Sequence, residues 1–237
     1  MFPQPRLTIV IPIYNEERTL AEIARKVFDA CGTFSEVIFV DDGSTDRSLE
    51  IAKSLARLGD QVLTKANGGK GSAVRMGYAH AHGVYVVTQD ADLEYEPIEL
   101  KAMLELAEAE DLPAVFGSRR IKKQHQYAHI KFYIGGMLLT WIFNLLYRYH
   151  LTDQPNCYKM MKADVLGTFR LTENDFRLDS EVTALLARKR LTIAEVPTSY
   201  HPRSVAEGKK IRASDWFKAV WVFLKIRFVP RSKIFLS

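Results

Sequence analysis

Residues 36–46 read EVIFVDDGSTD, and this stretch decides the fold class. Residues 37–40 form a continuous apolar run without polar alternation, the pattern of a short strand buried on both faces in a helix-covered parallel sheet. Asp41 and Asp42 end the run, Gly43 offers a turn, and Ser44 or Thr45 suits the cap of a following helix. Capping accounts for Ser44, Thr45 and Asp46. It leaves two consecutive acids before the turn, which suit hydrogen bonds to a ribose or a base edge and equally suit a solvated loop.

The same grammar recurs on either side. Apolar segments at 7–14 (LTIVIPIY), 61–64 (QVLT), 84–90 (VYVVTQD) and 113–118 (PAVFGS) alternate with helix-like segments at 16–31, 45–58, 71–82 and 97–110. Strands alternating with amphipathic helices predict an α/β fold, a mostly parallel central sheet flanked by helices. Ligands of such sheets bind beyond the carboxyl ends of the strands. Four polar clusters fall there: Tyr14-Asn15-Glu16, Asp41-Asp42-Gly43-Ser44, Asp90-Ala91-Asp92 and Gly117-Ser118-Arg119. Four strand exits are therefore expected to converge on one site.

Beyond Arg119 the pattern changes. Residues 131–149 read as an aromatic-rich helix, 158–167 as a strand leading into a helix, and 179–188 as another helix. A final helix-like stretch, 215–233, carries Trp216, Phe217, Trp221, Phe223 and Phe228 among five cations. No internal repeat or low-complexity linker separates the halves. Residues 1–212 are thus expected to form one domain with a change of role near Arg119, followed by an amphipathic basic segment at 213–237.

The chain has 237 residues, 47% of them hydrophobic, enough for one substantial core. Its two cysteines, Cys31 and Cys157, lie far apart and outside any CxxC or CxxH spacing, which argues against a disulfide framework or zinc site and for a reducing cytoplasm. The N-terminus lacks the features of a secretory signal, so the chain is expected to start near Met1. The longest charge-free apolar run, 132–147, contains Gly135, Gly136 and Asn144. It is shorter than the roughly 20 residues a spanning helix needs, and no transmembrane helix is expected. The net charge of +5 hides a division: residues 1–118 carry 11 basic and 19 acidic side chains, residues 119–237 carry 22 and 9. Clustered cations suit nucleic acid, anionic lipid or a phosphorylated substrate. No nucleic-acid motif accompanies them, which sets that role aside.

Residues 86–95, VVTQDADLEY, set Asp90, Asp92 and Glu94 two apart. In a strand continued through them, all three carboxylates face one side and repel. A hard cation such as Mg2+ or Mn2+, shared with a diphosphate, relieves that repulsion; acids in a solvated loop need no ion. Residues 67–77, NGGKGSAVRMG, are not a Walker loop, because Lys70 is followed by Gly71. Nor does a GxGxxG follow the first strand, which argues against a dehydrogenase. Glycines leading into a helix beside Lys70 still suit an anion, as they suit an ordinary capped loop. GSRR at 117–120 puts Arg119 and Arg120 at a strand exit, and SYHPRSVAEGKKIR at 199–212 adds His201, Arg203, Lys209, Lys210 and Arg212. Such clusters suit two separate phosphates or simply solvent.

Taken in order, TIVIPIYNEERTL, VDDGSTD, NGGKGSAVRMG, DADLEYEP, GSR, TDQPNCYKMMKADVL, DSEV and EVPTSYHPRSVAEGKKI resemble glycosyltransferase family 2. Within it they are similar to the dolichol-phosphate mannose synthase-like, polyprenyl-phosphate glycosyltransferase branch. The resemblance implies a GT-A-type domain, a nucleotide-sugar donor, a divalent Mg2+ or Mn2+ and inversion at the anomeric carbon. By position it implies a nucleotide-sugar site of Pro12, Tyr14, Glu16, Asp41, Asp42, Lys70 and Asp90, with Arg203 and Lys209 on the diphosphate. Asp90, Asp92 and Glu94 become the metal ligands, Asp92, Arg119 and Arg203 the catalytic set, and Arg119 and Arg120 the acceptor site. Many relatives in the branch carry Gln where this chain has Glu94.

A hydroxyl acceptor needs a general base, for which Asp153, Asp179 and Glu181 are candidates. A phosphomonoester has a second pKa of about 6, is largely anionic at neutral pH, and needs cations instead. A polyprenyl phosphate acceptor fits the basic second half and lets segments 132–147 and 213–237 lie in a membrane interface. The expected activity is metal-dependent, inverting transfer of a hexose, mannose or glucose, from a GDP- or UDP-sugar to a polyprenyl phosphate. It is placed peripherally on the cytoplasmic membrane face. Two alternatives stay open: transfer to a saccharide or other hydroxyl, and a non-catalytic nucleotide-sugar-binding or membrane scaffold. Homo-oligomerisation also stays open.

Overall fold

The structure, a computed structural model, describes residues 4–121, 130–202 and 213–236. One sheet of seven strands crosses it: β1 (Leu7–Ile13), β2 (Ser35–Asp41), β3 (Gln61–Thr64), β4 (Tyr85–Thr88), β5 (Ala114–Ser118), β6 (Lys159–Lys162) and β7 (Ile193–Pro197). Their spatial order is β3-β2-β1-β4-β6-β5-β7. Helices α1 (Leu20–Cys31), α2 (Ser48–Leu55) and α4 (Glu99–Ala109) contribute to the core on one face. Helices α3 (Lys70–Ala79), α5 (Ile130–Tyr147), α6 (Ala163–Gly167), α7 (Arg177–Arg188) and α8 (Ala213–Phe228) contribute to the core on the other.

The absence of alternation in the strands has a direct cause. Leu7, Ile9, Ile11 and Ile13 of β1 enter the first core and Val10 enters the second, while Val37 and Phe39 of β2 oppose Ile38 and Val40 in the same way. Both faces are dry, so both residue parities are apolar.

All six strands besides β6 follow the expected parallel rule, β3, β2, β1 and β4 in one run and β5 with β7 in another. Strand β6 runs antiparallel between β4 and β5. Its approach segment therefore arrives beside the carboxyl ends of its neighbours: Gly117 N donates to Tyr158 O at 2.8 Å, and Tyr158 OH donates to Gln89 Oε1 at 2.6 Å.

The expected extension of β4 through the acids does not occur. The strand stops at Thr88, and residues 89–96 form turns in which Leu93 takes φ 60°. Period-two geometry thus does not govern Asp90, Asp92 and Glu94.

Helix α8 is amphipathic in its packing. Ala219, Val222, Phe223 and Ile226 are buried in the second core, whereas Phe217, Trp221 and Phe228 are exposed. It lies along α5: Trp216 Nε1 donates to Gly135 O at 2.9 Å, Tyr147 OH to Phe223 O at 2.8 Å and Arg227 Nε to Leu146 O at 3.1 Å. Among the described residues no helix is long and apolar enough to cross a membrane.

Candidate active site

A cavity of about 370 Å³ lies where the strand exits meet. Pro12, Tyr14 and Glu16 line it from the β1 exit, Asp42 from β2, Asp90 and Asp92 from β4, and Arg119 from β5. Lys70 at the start of α3, Cys157 ahead of β6, Phe176 and Asp179 at the start of α7, and Tyr200 after β7 complete the wall.

The β1 and β2 exits are tied together by small polar side chains. Asn15, at φ 57°, donates its N–H to Ser44 Oγ at 3.0 Å and accepts from Thr45 N at 2.8 Å, while Glu16 N donates to Ser48 Oγ at 2.8 Å. Asp46 Oδ1 accepts Ser48 N, the first N–H of α2, at 2.9 Å, whereas Ser44 and Thr45 serve the neighbouring turn rather than the helix expected of them. Gly43, at φ 74°, makes that turn.

The two consecutive acids divide. Asp41 is 1% exposed and its carboxylate receives Ser44 N at 3.3 Å, which closes the turn behind the cavity wall. Asp42 faces the cavity, paired with Lys65 Nζ at 2.7 Å and receiving Gly68 N at 2.9 Å and Gly69 N at 2.8 Å. The glycine amides that suited an anion are therefore already used by Asp42.

Lys70 reaches across to Asp90, 2.7 Å from Oδ1 and 2.8 Å from Oδ2. Cys157 Sγ donates to the same Oδ2 at 3.0 Å. Burial disfavours the Lys70 charge, but Asp90, with Cys157 and Asp179 behind it, outweighs burial and holds the ammonium well above the ordinary lysine range. Burial and the facing Asp90 push the Cys157 thiol well up, so it is a neutral donor at neutral pH. Among the described residues Lys70 thus pairs with Asp90 as a positive partner.

Arg119, also in the cavity wall, is clamped by Asp153, which has no exposed surface. Nε and Nη2 donate to its two oxygens at 2.7 and 2.8 Å, and the Arg119 backbone N–H adds a third bond at 3.0 Å. Burial alone would raise the Asp153 carboxyl; Arg119 outweighs it and holds the group below the ordinary aspartate value, while its own guanidinium is raised. The Arg119 guanidinium lies over the Tyr200 ring, 5.0 Å from the centroid.

A model of Glycosyl transferase family 2 matches residues 8–169, well over half of the chain. The chain belongs to this family. The family 2 chain is 39% identical over 109 residues to an undecaprenyl-phosphate 4-deoxy-4-formamido-L-arabinose transferase of Edwardsiella ictaluri, covering 43% of this chain and 34% of that one. It is 33% identical over 129 residues to the protein of the same name from Salmonella choleraesuis, covering 52% of this chain and 39% of the relative. The matches thus span between a third and two fifths of those relatives' lengths. Among solved structures it resembles glucosyl-3-phosphoglycerate synthase from Mycobacterium tuberculosis in complex with Mn2+, UDP and phosphoglyceric acid. The TM-score is 0.72 at 17% identity, covering 97% of this chain and 80% of that one. That likeness establishes a shared GT-A-type fold.

The fold brings most of the expected site residues of the family 2 chain together: Pro12, Tyr14, Glu16, Asp42, Lys70, Asp90, Asp92, Glu94 and Arg119 all line the cavity. Asp41 stands behind it. Arg120 turns elsewhere, donating to Thr152 O at 2.9 Å and lying over the Tyr133 ring at 5.4 Å. Arg203 and Lys209 lie outside the described residues.

Of the three candidate bases only Asp179 lines the cavity. Asp153 is consumed by Arg119, and Glu181 is 3% exposed, receiving Thr172 N at 2.9 Å and Glu173 N at 2.9 Å. Sequence reasoning missed Tyr95, Cys157, Phe176 and Tyr200. None carries a charge pattern: Tyr95 lies in the loop between β4 and α4, and the other three are delivered by topology, Cys157 by the reversed β6, Phe176 by the start of α7 and Tyr200 by the end of β7.

Among the described residues no group of three His, Cys, Asp or Glu is arranged to hold a metal. Asp90 and Asp92 nevertheless present hard oxygen donors to the cavity. Mg2+ is commonly held by one or two carboxylates plus substrate phosphates, and the donor set fits that partial role.

Proposed function

We propose that the chain transfers a hexose, mannose or glucose, from a GDP- or UDP-sugar to a polyprenyl phosphate, with inversion at the anomeric carbon. The observation that carries this is the clamped Arg119, a cation held by a buried carboxylate in the wall of the cavity that Asp90 and Asp92 also line. A phosphate nucleophile needs such a cation and no base. The names of the undecaprenyl-phosphate relatives support the same acceptor class.

In this reading residues 1–118 hold the donor, 119–212 the acceptor, and 213–237 contribute to membrane contact. Tyr14 and Glu16 receive the nucleoside, Asp41 shapes the turn beneath it, and Asp42 orders the glycine loop. Lys70 releases Asp90 to become a diphosphate counter-ion, and Arg203 and Lys209 add to it. Arg119, with Arg120 behind it, presents the acceptor phosphate. An acceptor oxygen forms the new bond to the anomeric carbon as the bond to the nucleoside diphosphate breaks, and the diphosphate leaves with the electron pair. Asp90 and Asp92 would hold a Mg2+ or Mn2+, which when bound would supply positive charge against the leaving diphosphate.

The reading places the chain peripherally on the cytoplasmic membrane face, and the outer sides of α5 and α8 support the membrane contact in it. Ile134, Trp141 and Leu145 on one helix and Phe217, Trp221 and Phe228 on the other are exposed, with Lys218, Lys225 and Arg227 beside them. Aromatic side chains beside cations suit the boundary of an anionic bilayer.

The test is transfer from radiolabelled GDP- and UDP-hexoses to undecaprenyl or dolichyl phosphate, with Mg2+ or Mn2+. A UDP-linked 4-formamido-pentose belongs in the donor panel because of the relatives' names. No labelled lipid from any donor would sink the proposal. The competing hydroxyl-acceptor reading rests on Asp179, the one candidate base at the cavity. Asp179→Asn is expected to retain transfer to the lipid phosphate; abolished turnover with intact donor binding would favour the hydroxyl acceptor.

A further inference from the structure

We propose that Glu94 is a positioning residue for Arg119, acting through Tyr200, rather than a ligand of the divalent cation. The inference rests on the reading of Arg119 as the acceptor-phosphate group.

Leu93, at φ 60°, turns the chain out of the β4 direction, and Asp92 Oδ1 receives Glu94 N at 3.1 Å. Glu94 then holds the segment after β7 at two points. Its Oε2 accepts the Tyr200 hydroxyl at 2.9 Å, and its backbone carbonyl accepts His201 N at 2.8 Å. Tyr200 is 7% exposed, and its ring lies against Tyr95 at 5.3 Å, which in turn lies against Tyr158 at 4.9 Å. The outer end of this row carries the Arg119 guanidinium.

The two contacts on Arg119 do different work. A bidentate carboxylate fixes the guanidinium edge and its in-plane direction. It leaves the plane free to tilt about the axis between the two groups. The ring of Tyr200 removes that freedom by holding one face, and Glu94 fixes the ring by holding its hydroxyl. Among the described residues no hydrogen bond engages Arg119 Nη1, so the clamp leaves donor capacity for an anion. A carboxamide oxygen can accept the same phenol proton, which makes Gln the conservative replacement at this position.

The experiment uses the full chain and four variants: Glu94→Ala, Glu94→Gln, Tyr200→Phe and the Glu94→Ala/Tyr200→Phe double. Mn2+ binding is read by electron paramagnetic resonance. Binding of farnesyl phosphate, a short phosphomonoester, is read by calorimetry, and thermal melts check folding. Glu94→Ala and Tyr200→Phe are each expected to weaken farnesyl phosphate by about three- to tenfold, the scale of one hydrogen bond. The double variant should be no weaker than the worse single, Glu94→Gln should restore binding to about twofold of wild type, and Mn2+ affinity should stay within about twofold throughout. Mn2+ affinity falling about tenfold in Glu94→Ala but not in Tyr200→Phe would make Glu94 a metal ligand and overturn the proposal. Unchanged farnesyl phosphate binding in both single variants would also overturn it. A wild-type chain that binds Mn2+ but no farnesyl phosphate would instead overturn the acceptor reading, and the positioning role with it.

Discussion

Asp153 has no solvent exposure and remains ionised because Arg119 occupies both of its oxygens. Removing one member of a buried pair leaves the other desolvated and unpaired. Asp153→Asn is therefore expected to cost about 3–5 kcal/mol in urea unfolding. The sign of the pH effect follows from the depressed carboxyl. Its contribution is complete above the unfolded aspartate pKa of about 3.9 and is lost as pH falls through the lower folded value. Urea midpoints followed from pH 7 downward should show an acid loss below about pH 4 in the wild type that Asp153→Asn lacks in part. The residue types of this site were legible in the sequence, as acids and arginines at strand ends. Their division of labour was not: Asp41 and Asp42 are adjacent and chemically identical, and only the direction of one turn puts Asp42 at the cavity and Asp41 behind it.

Among the elements, the glycine-rich entry to α3 and the last helix carry the clearest tests. Gly69 sits at φ 93° and ψ 159°, and a Cβ there would lie 2.6 Å from Asn174 O. That backbone region is accessible essentially to glycine alone, so Gly69→Ala is expected to lose about 1–3 kcal/mol in thermal or urea unfolding. Because Asn174 adjoins Asp175 and Phe176 at the cavity, donor binding should weaken as well. On α8, Phe223 is fully buried against Phe143 and Phe217 is 70% exposed. Phe223→Ala should cost about 3–5 kcal/mol, and Phe217→Ala within about 0.5 kcal/mol, a contrast that urea unfolding of the two variants checks. Strands and helices of the first half were legible because two dry faces demand apolar runs. The end of β4 was not, because residues 86–95 keep a period-two pattern that a turn at Leu93 interrupts.

At the scale of the whole molecule, the outer sides of α5 and α8 predict binding to anionic vesicles. The full chain should float with anionic liposomes at low salt and release as ionic strength rises, and replacing Trp141, Phe217 and Trp221 together with Ser should leave it in the unfloated fraction while its melting curve stays near wild type. The sequence by itself determined the class of fold, the side of the sheet where ligands bind and the chemistry of most groups there, since these follow from local patterns of apolar runs, turns and charge. Tertiary structure alone decided that β6 runs backwards, that Lys70 pairs with Asp90, that Asp153 serves Arg119 instead of acting as a base, and that Glu94 meets Tyr200. Each of these joins residues separated by 20 to 106 positions. Which carboxylate meets which cation is settled by how the strands are ordered and directed, and no local pattern encodes that.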